Sequence, residues 1–145
     1  YEDSGGNPGD LILYSLKVAS KAREICSNFN LDAKKMIRIS LLHELGKIGA
    51  VQPESVDYFL PQESDWHREK LGQSYTYNKD LSRMTIPHRT IHILNRYSLD
   101  FDEEEYLSIL LSQGMHLQEN SFYGKTSSEN KFISAFLFAR TLANP

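Results

Sequence analysis

A single cysteine, Cys26, stands in this chain of 145 residues, which excludes an internal disulfide and suits a reducing compartment. Its place in a helical stripe reads as a small core residue rather than a reactive thiol. Excess positive charge is also lacking. Sixteen Lys and Arg against 19 Asp and Glu leave a formal charge of −3, which argues against a dedicated nucleic-acid or anionic-membrane binder but leaves room for a local basic pocket. No apolar run approaches the length of a membrane span, and the opening residues do not read as a signal peptide, so a cytoplasmic protein is expected. Internal repeats and low-complexity stretches are missing as well. So are a Gly-rich phosphate loop, a paired-Cys motif and His-Glu-x-x-His. Ser40 and Ser112 have no evident base partner, which leaves nucleophilic catalysis without support.

What is present is a helical pattern. Hydrophobic residues at 40% and charged residues at 24% fit one globular domain with a real core, at a length too short for two. Residues 1–9 read as a flexible Gly- and Pro-containing lead-in, and 10–145 as the domain. Asp10 is a candidate cap for a first helix over Leu11–Asn28, with Leu11, Tyr14, Val18, Ala22, Ile25 and Phe29 as its apolar stripe. Asp32 caps a second, Ala33–Leu45, with Met36, Ile37, Leu41 and Leu42 apolar. Residues 48–87 look loop-rich, with a short helix over Glu54–Leu60 and with Trp66, Tyr75 and Tyr77 pinning the segment to the body, the kind of segment that serves as a lid or substrate wall. A third helix spans His88–Tyr97. A fourth starts at Asp102 and runs toward Gly114, and its Glu103, Glu104 and Glu105 read as an ordinary helix start, where the dipole favours negative charge. His116–Ser128 reads as a polar loop. A last helix covers Glu129–Leu142, burying Phe132, Ile133, Phe136, Leu137 and Ala139. The expected fold is an all-α, compact, single-domain bundle.

The chemistry concentrates at Ile39-Ser40-Leu41-Leu42-His43-Glu44-Leu45-Gly46-Lys47-Ile48-Gly49. Successive helical residues point about 100° apart, so His43 and Glu44 can lean toward one point only near a helix end. An imidazole and a carboxylate there make half of a divalent-metal site. This stretch resembles the central His-Asp motif of the HD superfamily of metal-dependent phosphohydrolases, with Glu44 in place of the Asp. The resemblance extends to Leu13-Tyr14-Ser15-Leu16-Lys17-Val18-Ala19, to Trp66 through Tyr77-Asn78, to Pro87-His88-Arg89-Thr90-Ile91 and to Glu104-Glu105-Tyr106 through Gly114. These segments are similar to a subgroup encoded by phages and prophages. It implies an HD-type helical bundle with a metal pocket between helices, in a host cytoplasm if the chain is phage-encoded.

Carried over residue by residue, the resemblance puts the first ligand His at Tyr14, the central pair at His43 and Glu44, and a further His at His88. The His before a Gly falls on Ser112, and the final Asp falls on Arg140. Three ligand positions thus carry non-ligands. A phenol is a poor ligand near neutral pH, with a reference pKa of about 10. A guanidinium is always a donor and a cation, so Arg140 would either repel an ion or pair with Glu44. The leading expectation is a degenerate HD domain without a resident metal, acting as a non-hydrolytic module for a nucleotide-like phosphate ligand or a protein partner. Tyr14, Lys47, Arg89, Ser112 and Arg140 are its candidate binding residues. The alternative is an active phosphohydrolase cleaving a nucleotide phosphate ester, with His43, Glu44, His88 and His116 around Mn, Ni, Fe or Mg. In that case Glu44 and Lys47 are the catalytic residues, and Lys47 or Arg89 steadies the developing charge. A structural or interaction protein with a vestigial pocket is the third class. His88 and His92 also have a chelating four-residue spacing, although such spacing on a helix is unspecific. His67, beside Trp66, reads as a surface or packing residue.

Overall fold

The structure is a computed structural model that describes residues 7, 9–51 and 53–144. Apart from Asn7 and Gly9, the expected lead-in lies outside the described residues. The molecule is mainly helical, in line with the all-α expectation, with one small two-stranded sheet.

Helix α1 (Asp10–Phe29) buries Tyr14, Val18, Ala22, Ile25 and Cys26, close to the expected stripe. Two details differ. Gly9, at φ 92°, is the N-cap, and Asp10 instead accepts a hydrogen bond from the Asn7 amide at 2.6 Å. Phe29 is exposed because Asn30 takes the left-handed conformation that ends the helix and turns the chain away. Helix α2 (Ala33–Leu42) is capped by Asp32, whose carboxylate accepts from the Lys35 amide at 3.1 Å. Met36 and Ile39 are its core residues, while Leu41 is exposed.

Helix α2 stops three residues short of the expected end, and a 3-10 turn over Leu45–Ile48 follows. The amide of Gly46 bonds the Thr90 hydroxyl at 2.8 Å, so it is unavailable to the Leu42 carbonyl that would continue the helix. Gly46 also sits against the next long helix. A Cβ there would come within 2.4 Å of the Ile86 carbonyl oxygen and 3.1 Å of Arg89 Cβ. Only glycine fits this crossing.

The segment between is less irregular than expected. Residues 54–60 are not helical. Ala50 and Val56 form an isolated antiparallel bridge, and β1 (Phe59–Pro61) pairs antiparallel with β2 (Tyr75–Tyr77) in the register Phe59 with Tyr77 and Pro61 with Tyr75. A β-branched residue and a run of aromatics favour extended chain here. Tyr58 packs edge-on against Tyr77, ring centroids 5.1 Å apart. Helix α3 (Asp65–Leu71), capped by Ser64, lies between the strands. Trp66 is largely exposed, with its ring edge-on to His67 at 5.1 Å, and His67 bonds Ser64 Oγ through Nδ1 at 2.7 Å.

Helix α4 (Ile86–Arg96) begins two residues earlier than expected, with Thr85 as N-cap and Pro87 in the first turn. Helix α5 (Glu103–Leu110) opens with a capping box in which Asp102 and Glu105 satisfy each other's backbone amides. The acidic cluster is more than a helix start: Lys35 bridges Asp102 and Glu104, and Arg38 pairs with the buried Glu105. These bonds clamp α2 to α5. The expected loop at 116–128 instead contains a 3-10 turn (Gln118–Tyr123) and helix α6 (Gly124–Glu129). Its polar sequence gives no apolar periodicity to read, and it is held by hydrogen bonds such as Asn120 Nδ2 to the Gly114 carbonyl, 2.8 Å. Helix α7 (Lys131–Ala143) is capped by Asn130. Its Phe132, Phe136 and Ala139 meet Val18, Met36, Ile39 and Ile109 in one core, each large apolar side chain contributing about 1.5–3 kcal/mol by leaving water. No described helix is long and apolar enough to cross a membrane.

Candidate functional site

Four segments far apart in the chain converge at the end of α2. Tyr14 of α1 brings its ring to 6.0 Å from the His43 ring. Phe136 of α7 meets His43 edge-on at 5.3 Å. One turn further along α7, Arg140 reaches Glu44, and so does Gln113 from the turn after α5. His43 and Glu44 are both wholly buried.

His43 is held in one tautomer. Its Nδ1 lies 2.8 Å from the Ser40 carbonyl, an oxygen that can only accept, so Nδ1 carries the proton and Nε2 the lone pair. That Nε2 is buried with no hydrogen-bond partner among the described residues. Burial first, then the Arg140 and Lys47 charges, push His43 down to about 3 against the pull of the Ser40 and Ile39 backbone bonds. The ring is therefore neutral across the physiological range. With so little proton affinity it is no general base, but it is an acceptor fixed as a ligand histidine would be.

Glu44 is arranged differently. Arg140 Nη2 donates to Oε1 at 2.9 Å, Lys47 Nζ lies 3.0 Å from Oε2, and Gln113 Nε2 stands at 3.5 Å from Oε1. Both carboxylate oxygens are thus engaged by cations. A buried charge needs such pairing, and two cations on one carboxylate leave the cluster one unit positive. A divalent ion here would face two like charges, each costing about 4 kcal/mol per unit charge at ~4 Å with an effective dielectric near 20.

The remaining expected ligands are elsewhere. His88 is exposed at the head of α4, where its Nδ1 bonds the Thr85 hydroxyl at 2.8 Å. His116 is exposed, its ring lying over Gly114, where a Cβ would come within 2.6 Å of it. Among the described residues no group of three or more His, Cys, Asp or Glu could hold a metal ion. The set His43, Glu44, His88 and His116 is therefore not assembled, because the first turn of α4 directs His88 to solvent and Arg140 and Lys47 take up Glu44. The residues present do not fit the implied metal.

The expected binding residues also divide. Tyr14, Lys47 and Arg140 belong to the buried cluster. Ser112 is wholly buried beside Gln113, and its hydroxyl has no hydrogen-bond partner. Arg89 does not join them. It donates through Nη2 to the Ser82 carbonyl and lines a separate cleft, so Lys47 and Arg89 do not form one phosphate grip. Sequence reasoning missed Gln113 and Thr90. Helix α5 ends at Leu110, and the turn that follows brings Gln113 to Glu44. The Thr90 hydroxyl accepts from Gly46 and donates to the His43 carbonyl at 3.1 Å. Nothing in a helical Thr marks that double role. Compared with protein-family models, with curated proteins and with solved structures, the chain matches none.

Proposed function

We propose that the chain is an HD-type helical domain of the kind found in phages, with a salt-bridged carboxylate in place of a metal centre, acting by binding rather than by hydrolysis. The observation that carries this reading is the Arg140–Glu44–Lys47 cluster, with both Glu44 oxygens held by cations at 2.9 and 3.0 Å. Supporting it, the positions that the resemblance assigns to ligands on α1, the end of α2 and α7 converge on one place, and the one assigned to a carboxylate on α7 supplies a cation. The partner is a phosphate-bearing, nucleotide-like anion or a second protein.

The second reading, a metal-dependent phosphohydrolase acting on a nucleotide phosphate ester, is favoured by one feature, the bare Nε2 of His43. It requires Arg140 and Lys47 to leave Glu44 and further ligands to arrive. Metal content after incubation with Mn²⁺, Ni²⁺, Fe²⁺ or Mg²⁺ and desalting separates the two. The binding reading expects neither retained metal nor turnover of nucleotide monophosphates. Near-stoichiometric metal that disappears in His43→Ala, with accompanying phosphatase activity, would overturn it.

A further inference from the structure

A second region of the molecule also carries positive charge. One face of α4 presents Arg89, His92 and Arg96, spaced three and four residues apart so that they stack along the helix. They line a cleft of about 200 Å³ closed on its other sides by Gly49–Val51 and by Ser82 and Met84. No Asp or Glu is among the described residues that line it.

Arg89 is the unusual member. It is only 4% exposed, and among the described residues its side chain makes no ion pair and one hydrogen bond, from Nη2 to the Ser82 carbonyl. Its Nε is buried with no partner among the described residues. An unsatisfied buried donor costs about 1–3 kcal/mol, and more on a charged group. A guanidinium normally enters the interior only with a carboxylate or phosphate on its fork. Arg89 is buried in the wall of an open cleft, with an imidazole and a second guanidinium at its mouth. Every feature is accounted for by an anion that enters the cleft.

We infer that the cleft between α4 and the Gly49–Val51 segment is a binding site for a phosphate group, held by Arg89 from below and by His92 and Arg96 at the rim. The volume lies under the range of about 300–1,000 Å³ for drug-sized pockets, so the cleft takes a phosphate or the phosphate end of a monoester and leaves the rest of a larger ligand outside. Arg89 supplies the buried, preorganised charge. His92 and Arg96, both exposed, adjust to the third and fourth oxygens. The Glu44 cluster takes no part, and the inference stands whether or not the HD reading does.

The test is calorimetric titration of the full chain with inorganic phosphate and with adenosine 5′-monophosphate, at constant ionic strength in chloride. Saturable binding at one site is expected, weakened at least tenfold by Arg96→Met and by His92→Gln, two exposed positions at which the fold is retained. Arg89→Met should abolish it, with far-UV circular dichroism reporting whether that variant folds. The distant exposed Lys17→Met serves as the control and should bind as the parent does. Similar affinity for the two ligands identifies a phosphate subsite alone, whereas tighter binding of the nucleotide means that its nucleoside also contacts the protein outside the cleft; both uphold the site. Absence of saturable binding would overturn the inference, and so would binding indifferent to Arg96→Met and His92→Gln. Binding lost in Arg140→Met but kept in Arg96→Met would move the anion to the buried cluster. That outcome refutes this site while supporting the earlier reading.

Discussion

The end of α2 and the face of α4 each gather cations, but their surroundings differ. Arg140 and Lys47 meet both oxygens of Glu44 in the bundle interior, at 2.9 and 3.0 Å. Both arginines have a buried Nε without a partner among the described residues, but Arg89 has, among those residues, only the Ser82 carbonyl on its guanidinium. In the first region the protein supplies its own counter-ion, and the charges act as internal fastening. In the second Arg89 has no such counter-ion among the described residues, and its charge is left for something else. Burial alone therefore says little about the role of an arginine. What decides is whether the chain neutralises it.

The largest effect should come from cutting the fastening. Arg140→Met removes one of the two cations on the buried Glu44, and breaking such a pair costs about 3–5 kcal/mol. Arg96→Met, at an exposed position, should stay within about 0.5 kcal/mol. Equal midpoints for the two variants in urea unfolding would dissolve the comparison. Next comes the seam between the regions. Gly46→Ala drives a methyl into the Ile86 carbonyl oxygen at 2.4 Å, and overpacking of this kind costs about 1–3 kcal/mol. Thermal unfolding should show the loss, and phosphate affinity at the cleft should fall with it, because α4 must move.

A pH dependence, comparable in size to the Gly46 effect, belongs to the buried region alone. His43 titrates near 3 when folded and near 6.5 when unfolded. Between those values the unfolded chain binds the extra proton, so stability falls as pH falls. From pH 7 to pH 5 the loss from this group is about 2 kcal/mol. Urea unfolding of the parent and of His43→Asn at the two pH values isolates it, with the variant expected to show the shallower dependence. Identical slopes would mean that His43 is not held neutral by its surroundings.

Much of the fold was legible because helices announce themselves locally. Asp32 and Asp102 cap where their sequence places them, and the stripe of Tyr14, Val18, Ala22 and Ile25 buries as its spacing requires. The misreadings lie where distant chain intervenes. The end of α2 is set by Thr90, some 44 residues away along the chain, and the strand pair at 59–77 depends on partners that no local pattern reveals. In the site, His43, Glu44 and Arg140 could be named from the chain because the resemblance points at them. The separation of Arg89 from Lys47 could not. Their side chains diverge across the α4 crossing, and only the packed structure shows one on Glu44 and the other on Ser82.

The Thr90 hydroxyl holds the Gly46 amide on one side and the His43 carbonyl on the other. The Gly46 amide proton can exchange with solvent only when the turn lifts away from α4, so its exchange rate measures how often the turn and α4 part. The cleft shares this crossing, since Arg89 lines it and its Cβ would lie 3.1 Å from a Cβ on Gly46, so binding there should slow the exchange. That single amide thus works as a gauge, reading events at the surface from within the core.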